Sequence, residues 1–307
     1  MDWGSFTCRR LRACDVRFHQ LDVFGSGPYS GNPLAVFPEA AGLDAAQMQM
    51  IASEMNLSET TFVTHTGVDS YEMRIFTPAE ELAFAGHPTI GTAFCLAHLA
   101  RVTGEDLIQR TPVGQTKVTH RDDMWWFERA GQSHDDLESS DEKAGSVLAD
   151  ALSLDPAEIG LEARELGRSG RLRPAVADVG IGHLMIPVRD IRSLASCSVR
   201  ADLLATVSKI GVYCFTAAGA GRIRARGFFP GAGIAEDPAT GSAAAELGIY
   251  LAARVGEIDF EISQGREIGR PSRLSVRANA ASVKVGGRCD LVLEGELVEL
   301  PSTRTPG

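Results

Sequence analysis

The stretch AGHPTIGTA at residues 85–93 returns as AEDPATGSA at residues 235–243, with Pro-x-x-Gly-Thr/Ser-Ala at the same spacing. A second pair of matching segments precedes these two, RIFTP at residues 74–78 and RGFFP at residues 226–230. The matching positions are separated by about half of the chain, which indicates a duplicated unit of domain size rather than a short structural repeat. The sequence therefore predicts two similar α+β domains related by a pseudo-twofold axis, with a ligand site in the cleft between them.

Each half of the chain also contains predicted strands and helices besides the repeated turn. Apolar residues at positions i, i+3, i+4 and i+7 predict an amphipathic helix that begins after Asp44, with the stripe Met48, Ile51, Ala52 and Met55. Alternating apolar and polar residues predict a strand over residues 70–76, and further short strands are predicted between residues 107 and 129. In the second half, residues 175–188 repeat the arrangement of strand, glycine turn and strand that the first half has before residue 37.

Changes in composition divide the chain into four segments. Residues 1–15 are predicted to be an N-terminal extension, and residues 16–130 are predicted to form an N-terminal domain. Residues 131–143 are polar and acidic, which favours a solvated linker, and residues 144–288 then form a C-terminal domain. A chain of 307 residues is long enough to supply two domains of ordinary size with a core each.

The overall charge and composition limit the kinds of partner. The chain has 40 acidic and 30 basic side chains and a net charge of -10, which argues against a nucleic-acid partner. Its apolar runs are too short for a membrane span, so no membrane partner is predicted. Its six cysteines show no Cys-x-x-Cys spacing, and no paired spacing of metal ligands is visible. We therefore predict a cytoplasmic protein without a bound metal.

Each repeated turn leads into a predicted helix, whose first N–H groups lack partners within the helix. Together with the helix dipole these groups can hold a carboxylate, so two helix starts at one cleft would bind a small anion from both sides. Gly91 and Gly241 are expected to let the ligand approach the backbone closely. His87 has an ordinary pKa that suits proton transfer near neutrality. Asp237, which precedes a proline, can be either a functional carboxylate or an ordinary helix N-cap.

Glu59 is a third candidate for proton transfer. It follows a predicted helix and precedes the apolar segment at residues 60–63, so it lies either at the mouth of a buried strand or in a surface turn. The sequence lacks Gly-x-Ser-x-Gly, the phosphate-binding Gly-x-x-x-x-Gly-Lys-Ser/Thr and His-Glu-x-x-His. The residue types at hand therefore favour acid–base proton transfer without a cofactor.

Four longer segments resemble the PhzF-like family of phenazine biosynthesis, namely GNPLAVF at residues 31–37, MQMIASEMNLSETTFV at 48–63, RIFTPAEELAFAGHPTIGTA at 74–93 and EDPATGSAAAELGIYL at 236–251. The resemblance extends over nearly the whole chain after the N-terminal extension. It implies the α+β fold of diaminopimelate epimerase, with two pseudo-twofold-related domains in which a mixed sheet or barrel surrounds a long central helix. It also implies that the last strand, at about residues 289–301, returns to the N-terminal domain.

The resemblance further implies an activity and a set of site residues. The founding reaction of the family is the isomerisation of trans-2,3-dihydro-3-hydroxyanthranilate, in which a glutamate moves a proton between ring carbons without a metal or an organic cofactor. Members of the family are typically homodimers that bind a small carboxylate substrate. In this sequence the implied catalytic residues are Glu59, His87 and Asp237, and the implied substrate-binding residues are Asn32, Ser58, Gly86, Gly241 and Ser242.

Two other functions stay open at this point. Sister racemases and epimerases of the same fold use two cysteines, one from each half, but neither repeated turn contains a cysteine and Cys95 lies well inside its helix. Two-base chemistry by Glu59 and Asp237 would still allow an amino-acid racemase or epimerase. A protein that binds a small ligand without turnover is the other alternative, and the intact acid–base set argues against it. The resemblance does not fix the substrate, because a fold can serve many ligands.

Overall fold

The structure is a computed structural model that describes residues 16–133 and 142–302. The predicted extension at residues 1–15 lies outside the described residues, as does the middle of the predicted acidic linker. The helices of the described part are α1 (Ala45–Met55), α2 (Gly86–His98), α3 (Glu142–Leu152), α4 (Ile191–Ser196), α5 (Ala201–Val207) and α6 (Gly241–Val255). Short 3-10 turns cover Pro156–Glu158, Ala163–Leu166 and Pro230–Ala232.

The strands fall into two series, one in each half of the sequence. The first series is β1 (Arg17–Val23), β2 (Asn32–Phe37), β3 (Glu59–Thr66), β4 (Ser70–Phe76), β5 (Glu81–Leu82), β6 (Asp106–Thr111), β7 (Gly114–Arg121), β8 (Met124–Ala130) and β9 (Gln132–Ser133). The second series is β10 (Leu161–Glu162), β11 (Arg171–Leu172), β12 (Ala175–Asp178), β13 (His183–Pro187), β14 (Val212–Ala217), β15 (Arg222–Phe229), β16 (Ile234–Asp237), β17 (Ile258–Gln264), β18 (Ser272–Ala278), β19 (Ser282–Gly287) and β20 (Cys289–Glu296).

The two series pair in the same order. In the first, β1 pairs antiparallel with β2, β2 parallel with β3, β3 antiparallel with β4, and β4 parallel with β6, before β6, β7 and β8 form an antiparallel meander. In the second, β12, β13, β14, β15, β17, β18 and β19 repeat these pairings with the same directions. Strands β8 and β19 pair antiparallel and join the two series into one mixed sheet. The repeated topology is the structural counterpart of the repeated sequence motifs.

The last strand of each series pairs with the other series. Strand β20 runs antiparallel to β1, with Arg17 opposite Glu296 and Val23 opposite Cys289. Strand β9 runs antiparallel to β12, with Ala177 opposite Ser133. Part of the predicted linker is thus a strand, because its backbone groups find partners on β12. The domain boundaries themselves stay a prediction.

The two longest helices, α2 and α6, lie against the strands of their own series. Helix α2 packs against β1, β2 and β8, and helix α6 packs against β12, β18 and β19. Most side chains of both helices are buried, including the unbroken buried run from Gly241 to Ala252. Helices that are apolar on nearly all faces belong in the interior, which explains why each series surrounds its helix.

The predicted amphipathic helix and strand are confirmed in the first series. Asp44 is the N-cap of α1 and accepts a hydrogen bond from the Gln47 N–H, while the Gln47 side chain accepts one from the Asp44 N–H. On β4, Tyr71, Met73 and Ile75 are buried, as their alternation with polar residues predicts. Within the two described ranges, none of the helices is long and apolar enough to cross a membrane.

Candidate active site

Helices α2 and α6 begin against each other, at Gly86 and Gly241. A Cβ atom on Gly86 would lie 2.6 Å from the backbone carbon of Gly241 and from the backbone nitrogen of Ser242. A Cβ atom on Gly241 would lie 3.1 Å from the Gly86 backbone. The contact between the helix starts therefore leaves no space for a side chain at Gly86 and little space for one at Gly241. Gly91, expected to lie beside the ligand, packs instead against the core side chains of Leu34 and Val23.

The two repeated turns enter their helices at different positions. Ala85 is the N-cap of α2, so His87 lies within the first helical turn. In the second copy the N-cap is Thr240, and Asp237 is the last residue of β16, where it pairs with Gly227 of β15. The interpretation of Asp237 as an ordinary helix N-cap is therefore wrong. Strand pairing extends through Asp237, so α6 begins only after Thr240. The Asp237 carboxylate does not cap the helix and is available for other contacts.

Asn32 connects the two halves of the site. It is fully buried at the start of β2, and its side-chain nitrogen donates to Asp237 Oδ1 and to the Ala239 carbonyl, both at 2.9 Å. The same nitrogen lies 3.3 Å from His87 Nδ1. Ser58 Oγ donates to Asn32 Oδ1 over 3.1 Å. The structure thus brings four predicted site residues from four separate sequence segments into one hydrogen-bonded group.

Glu59 and His87 face each other at the centre of this group. Glu59 is the first residue of β3, and its Oε2 lies 3.4 Å from His87 Nε2. The two side chains are only 12% and 4% exposed, and neither of these two atoms has a hydrogen-bond partner among the described residues. Because buried polar atoms almost always have partners, this pair marks a position that a polar ligand can occupy.

Burial shifts the pKa values of all three proposed acid–base groups. Loss of hydration and, second to it, the neighbouring Asp237 carboxylate raise the pKa of Glu59 to about 8, although the Ser58 hydroxyl opposes this rise. Loss of hydration also raises the pKa of Asp237 to about 6, although hydrogen bonds from Thr240 and Asn32 oppose this rise. Burial lowers the pKa of His87 to about 3, so this imidazole is neutral at physiological pH, unlike the ordinary histidine expected from the sequence.

The protonation pattern of neutral His87 follows from its neighbours. Its Nδ1 lies 3.3 Å from the Asn32 side-chain nitrogen, which carries only hydrogens, so an unprotonated Nδ1 is favoured. The ring proton is then on Nε2, which points toward Glu59. His87 can therefore donate a hydrogen bond from Nε2 to a carboxylate or to a ligand oxygen that lies beside the pair. Glu59 is the group whose raised pKa allows it to gain and lose a proton near neutrality.

The repeated motif contains one functional residue that the sequence analysis left out, and a distant strand supplies another. Thr240 Oγ1 donates to Asp237 Oδ2 over 2.6 Å. Gln264, at the end of β17, donates to the Asp237 carbonyl over 2.8 Å and to Thr240 Oγ1 over 3.0 Å. The position of Thr240 three residues after Asp237 was a usable signal. No local pattern points to Gln264, because only the fold brings it to the turn.

The described residues contain no cluster of three or more histidine, cysteine, aspartate or glutamate side chains that could hold a metal ion. The cysteine thiols of the described part do not occur among the hydrogen-bonded groups around Asn32. Cys95 is buried within α2, and burial raises the pKa of its thiol to about 12. A thiol with so high a pKa is a poor base at neutral pH. The acid–base groups of this site are therefore carboxyl groups and an imidazole.

The family model described as Phenazine biosynthesis-like protein matches residues 21–295. The chain belongs to this family, and the predicted resemblance is confirmed. The chain is similar to the trans-2,3-dihydro-3-hydroxyanthranilate isomerase of Pseudomonas chlororaphis, with 38% identity over 264 residues. The match covers 84% of the PhzF-like chain and 88% of that relative.

Solved structures agree with the family assignment. A predicted epimerase from Pseudomonas aeruginosa is 31% identical, with a TM-score of 0.74 over 92% of this chain and 99% of that one. A probable proline racemase from Agrobacterium radiobacter K84 has a TM-score of 0.54 over 92% of this chain and 93% of that one, and its 13% identity shows a shared fold alone. The predicted epimerase-like α+β fold is thus confirmed. Because its relatives are isomerases and epimerases, the PhzF-like chain is an isomerase.

Proposed function

We propose that the chain is a cofactor-independent isomerase that shifts a proton on a small carboxylate, either trans-2,3-dihydro-3-hydroxyanthranilate or a close analogue. The observation that carries this proposal is the unpartnered pair of Glu59 Oε2 and His87 Nε2, buried beside Asp237. The substrate is suggested by the name of relatives that are 37–39% identical to this chain. The predicted homodimer and cytoplasmic location remain part of the proposal.

In the proposed reaction, the Glu59 carboxylate removes a proton from a substrate carbon. The electrons of that C–H bond enter the conjugated system of the substrate, where a double bond shifts. Glu59, now a carboxylic acid, returns the same proton to a second carbon of that system, so no proton or electron is gained or lost overall. The raised pKa of Glu59 suits both steps, since a base and an acid are both most useful when their pKa is near the working pH.

The remaining site residues position the substrate. We assign the substrate carboxylate to the adjoining starts of α2 and α6, where the N–H groups near Gly86 and Ser242 meet. Neutral His87 donates from Nε2 toward the reacting region, and Asp237 is held by Asn32 and Thr240. Burial excludes water, which would otherwise exchange with the transferred proton.

The decisive test is Glu59→Gln, assayed with trans-2,3-dihydro-3-hydroxyanthranilate in deuterated water. The amide keeps the shape of the side chain but cannot accept a proton, so turnover should fall by about 10⁴-fold or more, at the upper end for general acid–base groups. Binding should persist, as measured by calorimetry with the same compound. Glu72→Gln is a suitable control, because Glu72 is an exposed residue of β4.

Turnover of the glutamine variant within a few-fold of the parent would rule out Glu59 as the base. If the parent itself does not convert this substrate, a library of small carboxylates in deuterated water, followed by mass spectrometry, identifies the molecule whose carbon-bound hydrogen exchanges. Exchange at the α-carbon of an amino acid, with inversion, would favour the racemase or epimerase alternative instead.

A further inference from the structure

The turn between β17 and β18, at residues 265–271, is hydrogen-bonded to both halves of the site. It follows Gln264, which donates to the Asp237 carbonyl over 2.8 Å. At the other end of the turn, Arg270 Nε donates to the Gly31 carbonyl over 2.9 Å. A single turn of the second half is thus bonded to the second repeated turn at one end and to the first strand series at the other.

The Arg270 guanidinium holds the chain immediately before Asn32. The Gly31 carbonyl belongs to the peptide group that joins Gly31 to Asn32. Arg270 Nη2 also donates to the Ser30 carbonyl over 3.2 Å and to the carboxylate of Asp22, which is 1% exposed. Loss of one partner from a buried ion pair leaves a charge uncompensated, so the Asp22 carboxylate keeps the guanidinium in this position. Three acceptors of the first half therefore bind one side chain of the second half.

The backbone of the β17–β18 turn is also closely packed. Gly265 has a φ of +76°, and a Cβ atom added there would clash with the carbonyl oxygens of Arg270 and Pro238. The Arg270 N–H donates to the Gly265 carbonyl over 2.9 Å, and the Gly31 N–H donates to the Pro271 carbonyl over 3.2 Å. The backbone of Arg270 is therefore fixed relative to the second repeated turn, which contains Pro238.

We propose that Arg270 is a positioning residue, which holds Asn32 where its amide binds Asp237. The inference rests on the proposed function. The Asn32 side-chain nitrogen lies 2.9 Å from Asp237 Oδ1 and 3.3 Å from His87 Nδ1. Hydrogen bonds weaken as such distances grow, so a displacement of the Asn32 backbone would loosen both contacts at once. Arg270 thus acts on the reaction through Asn32.

Arg270→Lys separates this role from that of the positive charge. A lysine keeps a charge beside Asp22, but its ammonium lacks the planar fork that reaches Asp22 and the Gly31 carbonyl together. The first measurement is hydrogen exchange of the Asn32 side-chain amide, followed by NMR in the parent and the variant. The amide signals are assigned by their absence from Asn32→Ala.

Exchange of the Asn32 amide should be about tenfold faster or more in Arg270→Lys, because a hydrogen bond to a charged group contributes enough free energy for such a change. An unchanged exchange rate would overturn the proposal.

The second measurement is turnover of trans-2,3-dihydro-3-hydroxyanthranilate by Arg270→Lys. A displacement of about 1 Å within a site can lower a rate by about 100-fold, so we expect kcat to fall by about tenfold to 100-fold. KM should change little, because the substrate carboxylate is assigned to the starts of α2 and α6. An unchanged kcat with only a lower melting temperature would show a structural role alone and would overturn the proposal.

Arg224→Lys is the matched control. Arg224 Nη2 donates to Glu267, which lies on the same turn, and both side chains are largely buried. Both partners belong to the second half, so the control loses an arginine–carboxylate pair without a change at the Gly31 carbonyl. It should leave kcat and the exchange of the Asn32 amide unchanged. Equal losses in the two variants would contradict the proposal, because they would result from a looser turn rather than from the contact with Gly31.

The parent protein provides a test that needs neither a variant nor a substrate. If Arg270 holds Asn32, release of the guanidinium frees the Asn32 amide, so Arg270 Nε–H and this amide should be equally protected against hydrogen exchange. Protection of the Asn32 amide far above that of Arg270 Nε–H would overturn the proposal. This comparison decides the inference if Arg270→Lys does not fold, and also if the parent converts no substrate and the proposed function fails.

Discussion

The side-chain amide of Asn32 donates to the carboxylate of Asp237 over 2.9 Å, although the two residues are 205 positions apart. The same amide donates to the Ala239 carbonyl, and its oxygen accepts from Ser58. Asn32, which belongs to the first strand series, therefore holds the Asp237 carboxylate, which belongs to the second repeated turn. The site exists only when the two halves are docked.

Asn32→Ala should destabilise the protein and reduce its activity. The substitution leaves Asp237 Oδ1 and the Ala239 carbonyl buried without this donor, which typically costs about 1–3 kcal/mol. Urea denaturation of the variant and the parent measures the change in the free energy of unfolding. Asn279→Ala, at an exposed hairpin turn where Asn279 accepts from Ala281 and Ser282, should cost less. Equal losses from the two substitutions would show that Asn32 has no special role between the halves.

Gly86→Ala should separate the starts of α2 and α6. The added methyl group would lie 2.6 Å from backbone atoms of Gly241 and Ser242, which cannot rotate away. Overpacking of this kind typically costs about 1–3 kcal/mol, and the displaced N–H groups should also weaken binding of a carboxylate ligand. Gly241→Ala, whose methyl group would lie 3.1 Å from the Gly86 backbone, should have the smaller effect in thermal unfolding and in KM. A larger effect of Gly241→Ala than of Gly86→Ala would contradict this account of the contact between the helix starts.

Local patterns predicted much of the fold and part of the site. The stripe after Asp44 and the alternation over β4 depend on residues that are neighbours in sequence, and both are confirmed. The duplicated turns correctly indicated two helices that begin at one place. The residue types and their positions made Glu59 and His87 candidates, and the family resemblance then implied their catalytic roles. The structure places these side chains 3.4 Å apart.

The remaining features depend on strand pairing, which the helix and turn patterns do not encode. Asp237 followed by proline fits an N-cap, but pairing with Gly227 of β15, ten residues earlier, extends the strand through this residue. The exchange of β9 into the second series depends on a contact between distant segments. Besides Thr240, Glu246 was an overlooked signal: it is a lone carboxylate in the apolar run SAAAELGIYLAA, and such a residue needs buried partners, which the N–H groups of Val179, Gly182 and His183 supply.

Alkylation of the cysteines should leave turnover largely intact. Cys95, Cys197 and Cys214 are buried, and Cys95 is held in α2 with a thiol pKa raised to about 12 by burial. Turnover is measured before and after treatment with iodoacetamide under native conditions, and the modified positions are located by mass spectrometry. Inactivation that follows modification of Cys95, and that the substrate prevents, would favour thiol-based racemase chemistry over proton transfer by Glu59.

Glu59→Gln should make the protein more stable than the parent at alkaline pH, even though it removes activity. In the folded protein, burial and the Asp237 carboxylate raise the pKa of Glu59 from an ordinary value of 4.5 to about 8. Below pH 4.5 the residue is protonated in both the folded and unfolded chain. As the pH rises from 4.5 to about 8, the unfolded chain loses this proton first, so the folded state loses stability relative to it.

A glutamine cannot lose a proton in this range, so the variant does not show this decline. The difference in the free energy of unfolding, variant minus parent, should therefore increase between pH 5 and pH 8 and level off above the folded-state pKa of about 8. Urea denaturation at pH 5, 7 and 9 measures this difference, with Glu72→Gln, at an exposed position of β4, as the control. A difference that stays constant with pH would mean that Glu59 ionises as readily in the folded protein as in the unfolded chain. Its role as a proton carrier near neutrality would then lose its physical basis, because an ordinary glutamate is too weak a base to remove a carbon-bound proton and return it efficiently.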